Sequence, residues 1–171
     1  MTNPTAAMLV IGDEILSGRT RDTNTHHLAG ELTKQGINLK EVRVISDDAV
    51  SIVAAVRKLS SIYMHVFTSG GIGPTHDDIT ADCIAEAFGS HIEIRDDARA
   101  ILQTHYDAQN LPLNDARLRM ARIPEKATLI DNPISKAPGF TIQNVHVMAG
   151  VPSIFQAMLA SVLPSLTGGQ P

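Results

Sequence analysis

Apolar residues in the first half of this chain alternate between the spacing of β-strands and the spacing of α-helices. Residues 6–11 form a short, uninterrupted apolar run between Pro4 and Gly12, which is typical of a strand buried on both faces. Residues 37–45 and 64–68 predict two further strands, and helix-like segments lie between the strands. This alternation predicts an α/β fold, with a mostly parallel sheet, right-handed crossovers and helices on both faces.

The remaining elements are predicted from caps and breaks in the same pattern. Asp22, Thr23 and Asn24 offer a cap for a helix that stops at Gly36. Further predicted elements are a helix after Ser46-Asp47-Asp48, a helix over 79–88, a helical region in two pieces over 95–122, strands at 128–130, 140–142 and 145–148, and a last helix from Pro152 towards Leu163. Since no linker or repeat interrupts the pattern, we expect one domain over residues 1–171, with an ordered core of about 5–166 and a fraying tail.

Composition excludes several classes of protein. Of the 171 residues, 43% are hydrophobic and 19% are charged, which is typical of a folded globular protein. The net charge of −4 comes without a basic stripe, so nucleic acid is not an expected partner. The single cysteine forms no internal disulfide, and neither a signal peptide nor a run of about 20 apolar residues is present. We therefore expect a cytoplasmic protein that does not bind a membrane.

The segment Ser69-Gly70-Gly71-Ile72-Gly73-Pro74-Thr75-His76-Asp77-Asp78 lies between a predicted buried strand and the start of a helix. Its three glycines let the backbone turn sharply and let a ligand approach main-chain N–H groups, which favour an anion such as phosphate. The segment has neither the Gly-Lys-Ser/Thr of a Walker A loop nor the third glycine of the dinucleotide fingerprint. We therefore expect a phosphate loop of another kind, with ligand contacts from Gly70, Gly71, Gly73, Pro74 and Thr75.

Two adjacent carboxylates, Asp77 and Asp78, end this loop. Carboxylates repel an anion, but a divalent cation such as Mg²⁺ commonly bridges carboxylate and phosphate. We therefore expect Asp77 and Asp78 to bind a divalent metal ion. The alternative is that one of them only caps the helix that begins at Ile79, although a cap leaves the preceding glycines unexplained.

A second loop follows the first strand and begins with Gly12-Asp13-Glu14. In an open parallel sheet, the loops that leave the carboxyl ends of neighbouring strands form the ligand crevice. If the first and third strands are neighbours, Asp13 faces Asp78 across that crevice, and Gly12, Glu14 and Asn24 lie along its rim. Ordinary surface acids and a helix cap are the alternative interpretation.

Two later loops add candidate ligand contacts. Lys136 lies in a constrained turn between Pro133 and Gly139 and offers a cation for phosphate, with a solvated lysine as the alternative. Gly150 allows close approach of a ligand between the last strand and the last helix, and Ser153 offers a hydrogen bond to an anion. The chemistry of a helix start also explains these two residues without a ligand.

Five segments, taken in order, resemble the MoaB/Mog family of molybdopterin-binding domains. They are Gly12-Asp13-Glu14-Ile15-Leu16, Asp22-Thr23-Asn24, residues 70–80, Ala137-Pro138-Gly139-Phe140 and Gly150-Val151-Pro152. The match is closer to the branch that contains the N-terminal domain of CinA, and the molybdopterin-binding-like domain of eukaryotic FAD synthase is also similar. The resemblance implies a three-layer α/β sandwich with a pterin or nucleotide crevice at these loops. Ala149 departs from the branch, which usually has proline there.

The resemblance implies three alternative functions. In the CinA-like branch, related domains hydrolyse nucleotide pyrophosphates such as ADP-ribose, and the FAD synthase relative is linked to FAD hydrolysis. A metal-dependent pyrophosphatase of this kind would use Asp78, Asp77 and Asp13 as catalytic residues. In the Mog-like branch, the domain transfers adenylate to molybdopterin with Mg²⁺, and the functional aspartate of the family matches Asp78. The third alternative binds a pterin or nucleotide without turnover, and relatives imply a homo-oligomer, a dimer or trimer.

Overall fold

The computed structural model describes residues 2–171 and contains alternating strands and helices. The strands are β1 Thr5–Ile11, β2 Asn38–Ile45, β3 His65–Ser69, β4 Ile92–Ile94, β5 Arg122–Pro124, β6 Thr128–Ile130, β7 Gly139–Ile142 and β8 Val145–Met148. The helices are α1 Asp13–Leu16, α2 Asn24–Lys34, α3 Ala49–Ile62, α4 Thr80–Ala87, α5 Asp96–Ala108, α6 Asp115–Leu118 and α7 Pro152–Val162, with 3₁₀ turns at Arg119–Ala121 and Leu163–Ser165. None of these helices within residues 2–171 has the length and hydropathy of a membrane-spanning segment.

Within residues 2–171 the central sheet has six strands, in the order β2-β1-β3-β8-β7-β6. β1 pairs in parallel with β2 and β3, and β3 pairs in parallel with β8. β7 is antiparallel to both of its neighbours, because a short hairpin joins it to β8. The predicted α/β fold with a mostly parallel sheet is confirmed, and the first and third strands are neighbours.

β1 lies inside the sheet and separates two hydrophobic clusters. Its residues 6–11 are at most 2% exposed, as the continuous apolar run predicted. Met8 and Val10 point into the cluster formed with α2 and α7, whereas Leu9 and Ile11 point into the cluster formed with α3 and α4. Each fully buried side chain of this size contributes about 1.5 to 3 kcal/mol to folding, so both helix layers are needed to cover the sheet.

The structure differs from the prediction in the segment between α4 and β6. β4 and β5 pair antiparallel in a small separate sheet, with Ile92 opposite Pro124. The sequence predicts no strand at either place: residues 92–94 lie between two predicted helices, and β5 begins at the last residue of the helical region predicted over 95–122. Strands of three residues are too short to show alternation, so the pattern does not reveal them. The predicted break is present: Asn110 has a φ of 54°, just after α5 ends. The second helical piece is only the short α6 and the 3₁₀ turn Arg119–Ala121.

The tail is held by hydrogen bonds, in contrast to the expected fraying. The Gly169 N–H donates to the Gln35 carbonyl oxygen at 2.9 Å. The Asn3 side chain donates to the Gln170 carbonyl at 2.8 Å and accepts from the Gln170 N–H at 3.0 Å. A side chain on Gly168 would overlap the Gln35 carbonyl, so the glycines let the tail lie directly against the end of α2.

Candidate functional site

The loops that follow β1, β2, β3 and β8 meet at one edge of the sheet. The Gly12 N–H donates to the Ile45 carbonyl at 3.0 Å, which joins the loop after β1 to the end of β2. The Gly70 N–H donates to the Met148 carbonyl at 3.2 Å, which joins the loop after β3 to the end of β8. A methyl group on Gly150 would lie 3.3 Å from the Cα atom of Gly70. The structure thus brings the predicted crevice loops together.

Two cavities, each of about 480 Å³, open at this edge. The first, the glycine-loop pocket, is lined by Glu14, Gly70–Pro74, Asp78, Met120, Asn132, Ser135, Ala137, Gly150 and Ile154 among others. The second, the acidic cleft, is lined by five carboxylate residues, Asp13, Glu14, Asp47, Asp77 and Asp78, and by Ile11, Gly71, His76 and Ile79. Glu14 and Asp78 line both cavities, so they form part of the boundary between an apolar-walled pocket and a negatively charged cleft.

The first two glycines of the loop have conformations that other residues rarely adopt. Gly70 has a φ of 99°, and a Cβ atom there would overlap the backbone carbonyl of Ile11. Gly71 has a φ of 75°, and a Cβ atom there would overlap the Thr80 hydroxyl. The sharp turn that the sequence predicts is therefore present, and the backbone of this loop is open to the pocket.

Asp78 bonds within the loop and does not cap the next helix. Its Oδ2 accepts hydrogen bonds from the Thr75 N–H and the Thr75 hydroxyl, both at 2.9 Å. The N-cap of α4 is Ile79, and within residues 2–171 no side chain caps that helix. The Thr80 N–H instead donates to the Gly71 carbonyl at 3.0 Å. The capping interpretation of Asp78 is therefore wrong, and its carboxylate is oriented by Thr75 at the wall of the pocket.

Asp13 is paired with Asp47, a residue that the sequence analysis assigns only to a helix cap. The Asp13 N–H donates to Oδ2 of Asp47 at 3.1 Å, and the Asp47 N–H donates to Oδ1 of Asp13 at 3.1 Å. The reciprocal bonds hold the start of α1 against the loop after β2. Asp48, the next residue, provides the actual cap of α3 by accepting from the Ser51 N–H at 2.9 Å.

Burial and neighbouring carboxylates disfavour the ionised form of Asp47 in the acidic cleft. Burial raises the pKa of Asp47, and the nearby charges of Asp13, Glu14 and Asp78 raise it further, against the lowering effect of the bond from Asp13 N–H. Asp77 is the outermost of the group, with its side chain 84% exposed and Oδ1 3.4 Å from the His76 ring. A cation in the cleft would relieve this repulsion.

The donor set of the cleft fits a weakly held, substrate-bridged cation. Within residues 2–171 no three histidine, cysteine, aspartate or glutamate side chains converge to hold a metal ion by themselves. Mg²⁺ does not need such a cage, because it keeps several waters and binds through one or two carboxylates plus the phosphates of a substrate. Oδ2 of Asp78 is used by Thr75, whereas its Oδ1 forms no hydrogen bond to the residues of the 2–171 range.

Asn24 lies beneath the glycine-loop pocket. Its Nδ2 donates to the Gly150 carbonyl at 2.9 Å, which holds the loop after β8 against the start of α2. Asn24 is 5% exposed, and its Oδ1 has no hydrogen-bond partner within residues 2–171. A recess of about 50 Å³ borders Asn24, Glu14, Gly70 and Gly150, so the predicted rim residue contributes to the floor of the site.

The lining of the glycine-loop pocket lacks five of the predicted contacts: Gly12, Asn24, Thr75, Lys136 and Ser153. Lys136 lines a separate groove along α5, because its φ of 68° and the bond from its N–H to the Asn132 carbonyl close a tight turn. Within that turn, Asn132, Ser135 and Ala137 line the pocket in its place. Ser153 is exposed on the first turn of α7, whereas its neighbours Pro152 and Ile154 line the pocket.

Several residues that border these cavities are not predicted from the sequence, and three of them carry polar or long side chains from distant segments: Asp47, Arg119 and Met120. Asp47 follows β2 directly, so the rule that points to the ends of neighbouring strands could have found it. Met120, which lines the pocket, and Arg119, which lines a recess beside it, come from the 3₁₀ turn before β5. No local sequence pattern predicts that Met120 and Arg119 lie beside the pocket, because tertiary contacts position the segment between α4 and β6.

Comparison with known proteins identifies relatives over almost the whole chain. The family model described as "Probable molybdopterin binding domain" matches residues 7–168. The crystal structure of CinA, a protein of unknown function from Thermoplasma acidophilum, is 33% identical with a TM-score of 0.87, over 94% of this chain and 98% of that one. A CinA-like protein from Citrifermentans bemidjiense is 37% identical over 167 residues, which are 95% of this chain and 40% of that protein.

A more distant solved structure shares the fold. The molybdopterin biosynthesis enzyme MoaB from Thermus thermophilus is 15% identical with a TM-score of 0.62, over 95% of this chain and 91% of that one. At this identity the likeness concerns the fold alone. The chain spans 40% to 65% of the length of the curated relatives that it matches first, so those relatives contain further sequence beyond the matched region.

Proposed function

Since the chain belongs to the family of probable molybdopterin binding domains, in its CinA-like branch, we propose that its glycine-loop pocket binds a small phosphorylated ligand, a nucleotide or a pterin. The activity we propose is the metal-dependent hydrolysis of a nucleotide-diphosphate compound of the ADP-ribose or FAD type. The observation that supports it most is that Asp78 and Glu14 border both the glycine-loop pocket and the acidic cleft. A diphosphate in the pocket would thus lie next to the carboxylates of the cleft.

The backbone of the glycine loop would bind the phosphates. Gly71 and Gly73 line the pocket, and within residues 2–171 their N–H groups form no hydrogen bond, so these groups are free to donate to phosphate oxygens. Asp78 and Asp77 would hold the divalent metal ion. When bound, such an ion neutralises charge that develops on the phosphates.

The acidic cleft would supply the proton acceptor. As the oxygen of a water molecule bonds to phosphorus, the anhydride P–O bond breaks and its electron pair leaves with the second phosphate. A cleft carboxylate takes the proton that the water releases. Asp47 is suited to this role because its raised pKa makes it a better acceptor near neutral pH than an ordinary aspartate. Asp13 would orient Asp47 through their reciprocal hydrogen bonds.

A second candidate function is the transfer of adenylate to molybdopterin. The wall of the glycine-loop pocket favours it, because Ile72, Met120 and Ile154 offer apolar surface to a flat pterin ring. The structural neighbour from Thermus thermophilus is named as a molybdopterin biosynthesis enzyme. A third candidate uses the same pocket to bind a pterin or nucleotide without turnover.

Product analysis separates these three functions. The protein is incubated with Mg²⁺ and either ADP-ribose, FAD, or ATP together with molybdopterin. Release of AMP from ADP-ribose or FAD supports hydrolysis, and adenylated pterin supports transfer. Binding by calorimetry without any product would support the third function and contradict the proposed hydrolysis.

Substitution of Asp78 tests the carboxylate on which the proposal depends. Asp78→Asn keeps an oxygen for the bonds from Thr75 but removes the negative charge, so we expect turnover to fall by about a hundredfold or more. Asp96→Asn, on the exposed first turn of α5, is the matched control and should keep full turnover. Unchanged turnover in folded Asp78→Asn would exclude Asp78 from the reaction.

A further inference from the structure

The cation expected for phosphate, Lys136, lies in another groove, and a different cation lies beside the glycine loop. Arg119 donates from Nε to the carbonyl oxygen of Thr75 at 3.2 Å, so its guanidinium contacts the loop itself. With Gly73 and Asp78 it also lines a recess of about 20 Å³. That recess shares four residues with the glycine-loop pocket, Ile72, Gly73, Asp78 and Met120. We propose that Arg119 binds the phosphates of the ligand from the recess beside the glycine loop; this rests on the proposed function of the pocket.

The positive charge of Arg119 is available to a ligand, because no carboxylate within residues 2–171 forms an ion pair with it. Its neighbour Arg122 is paired with Asp82 at 2.6 Å, and Arg95 is paired with Asp97 at 2.6 Å. Arg117 lies 4.7 Å above the Tyr106 ring and donates to the Pro112 carbonyl. Within residues 2–171, Arg119 forms no ion pair.

The guanidinium keeps donors available after its contact with the loop. Only Nε is used by Thr75, and within residues 2–171 the Nη1 and Nη2 groups form no hydrogen bond. Two parallel N–H groups match the oxygens of a phosphate in a bidentate contact, which lysine cannot make. The same bond to Thr75 sets the guanidinium beside the turn that orients Asp78.

The backbone that carries Arg119 is firmly anchored. Ala121, two residues later, is fully buried, and its carbonyl accepts from the Arg95 N–H at 3.0 Å. Arg119 therefore extends from a fixed turn, so fewer backbone degrees of freedom are lost when it binds an anion. The side chain is half-buried, which strengthens its interaction with phosphate relative to a fully solvated arginine.

The ligand chemistry follows from the two sides of the site. The loop amides and Arg119 bind the anionic oxygens, while the cleft carboxylates accept a cation that the same phosphates share. A nucleoside diphosphate and inorganic pyrophosphate both offer this chemistry, whereas an unphosphorylated nucleoside offers none of it. The contribution of Arg119 to affinity should therefore depend on the phosphates of the ligand and not on its base.

Calorimetric titration with ADP, pyrophosphate and adenosine, all with Mg²⁺, tests the role of Arg119. In Arg119→Gln we expect binding of ADP and pyrophosphate to weaken by about tenfold or more, with adenosine unchanged. Arg119→Lys should fall between Arg119→Gln and the unaltered protein, because it keeps the charge but loses the bidentate contact. Lys136→Gln is the matched control and should bind all three ligands normally. Circular dichroism and thermal melts establish that each variant is folded.

Each outcome decides the inference. Unchanged binding of ADP and pyrophosphate by folded Arg119→Gln overturns it, and so does an equal loss for adenosine, which would mean that Arg119 only braces the loop. If the unaltered protein binds neither ADP nor pyrophosphate, the inference and the proposed function are both wrong. If ADP binds through Arg119 but no diphosphate compound is hydrolysed, the inference holds and the proposed hydrolysis fails.

Discussion

Gly70 shows how a single residue limits the shape of the candidate site. Its φ of 99° and the Ile11 carbonyl next to its Cα leave no room for a side chain, because the loop after β3 crosses directly over the end of β1. The same crossing brings Gly150 against Gly70. The close approach of these backbone segments forms one wall of the glycine-loop pocket, which Gly70 and Gly150 both line.

Replacement of Gly70 should damage both the fold and the site. We expect Gly70→Ala to lower the free energy of unfolding by about 1 to 3 kcal/mol and to abolish ligand binding, because the loop must move to relieve the overlap. Gly30→Ala is the control: Gly30 is exposed inside α2 with open space around it, so alanine should stabilise the protein by about 0.5 to 1 kcal/mol. Urea unfolding measures the stability of both variants. Equal free energies of unfolding for Gly70→Ala and Gly30→Ala would contradict the strained turn at Gly70.

Removal of the Asp47 charge should lower activity without lowering stability. Because burial and neighbouring carboxylates raise its pKa, the folded state disfavours its charge, and neutral asparagine should fit at least as well. We expect Asp47→Asn to keep or raise the melting temperature at neutral pH while turnover falls by about a hundredfold. Asp48→Asn, which makes the same charge change at the cap of α3, should keep its turnover. A loss of stability in Asp47→Asn would show that the negative charge holds the loops together.

At the scale of elements, a polar stack crosses three strands at the end of the sheet away from the site. The His146 ring on β8 lies between Thr141 on β7, at 2.9 Å from its Oγ1, and His65 on β3, at 3.3 Å from its Nδ1. Burial, and to a smaller extent the neighbouring His65, lower the pKa of His146 to about 4. Burial also lowers the pKa of His65. Both rings are therefore neutral in the folded protein near pH 7.

These histidines predict the sign of the stability change with pH. Above about pH 6.5 His146 is neutral in both the folded and unfolded states, so it has no effect. Between about pH 6.5 and pH 4 only the unfolded chain takes up the proton, so stability falls as the pH falls, by up to about 3 kcal/mol for His146. His65 acts in the same direction.

The test compares urea unfolding of the protein and of His146→Gln across this pH range. We expect a steeper loss of stability for the unaltered protein, because the variant lacks the group that titrates on unfolding. Parallel curves for the two proteins would show that His146 is already protonated, or already solvated, in the fold.

At the scale of the whole molecule, the sheet divides the hydrophobic interior into two clusters. Ile52 on α3 lies in one cluster and Ile37, just before β2, lies in the other, and each is at most 1% exposed. Residues of the site also cover these clusters: Ile72 of the glycine loop packs against both, and Ile154 of the pocket wall packs against the second. Substitutions in the binding loops can therefore change stability as well as ligand binding.

The two clusters should respond to mutation independently. Ile52→Val and Ile37→Val should each lower the free energy of unfolding by about 0.5 to 1.5 kcal/mol, because each removes one buried methylene group. The double variant should equal the sum of the two within about 0.5 kcal/mol, since the sheet separates the positions. Thermal and urea unfolding measure this; a larger coupling would show that the sheet transmits packing strain between its faces.

Residue order alone predicts the strands of the central sheet, most of the helices and the loops that carry the site, but not the short strands β4 and β5. Strand and helix periods are local, so β1, β2, β3 and the helices between them follow from residue order alone. The glycines in the segment 69–78 identify a sharp turn, because its backbone requires residues without Cβ atoms. The aspartates at the end of the segment make the loop polar. Because parallel strands run in the same direction, the loops that follow them lie at the same edge of the sheet, where the strands have their carboxyl ends.

Only the tertiary structure decided which side chains complete the site. Asp47 and Asp13 lie 34 residues apart, and the parallel pairing of β1 and β2 brings them together. Arg119 contacts Thr75 across 44 residues because the segment between α4 and β6 packs beside the glycine loop. The turn at Lys136 places that side chain in another groove. Such contacts depend on how separate elements pack, and no local spacing of residues encodes that packing.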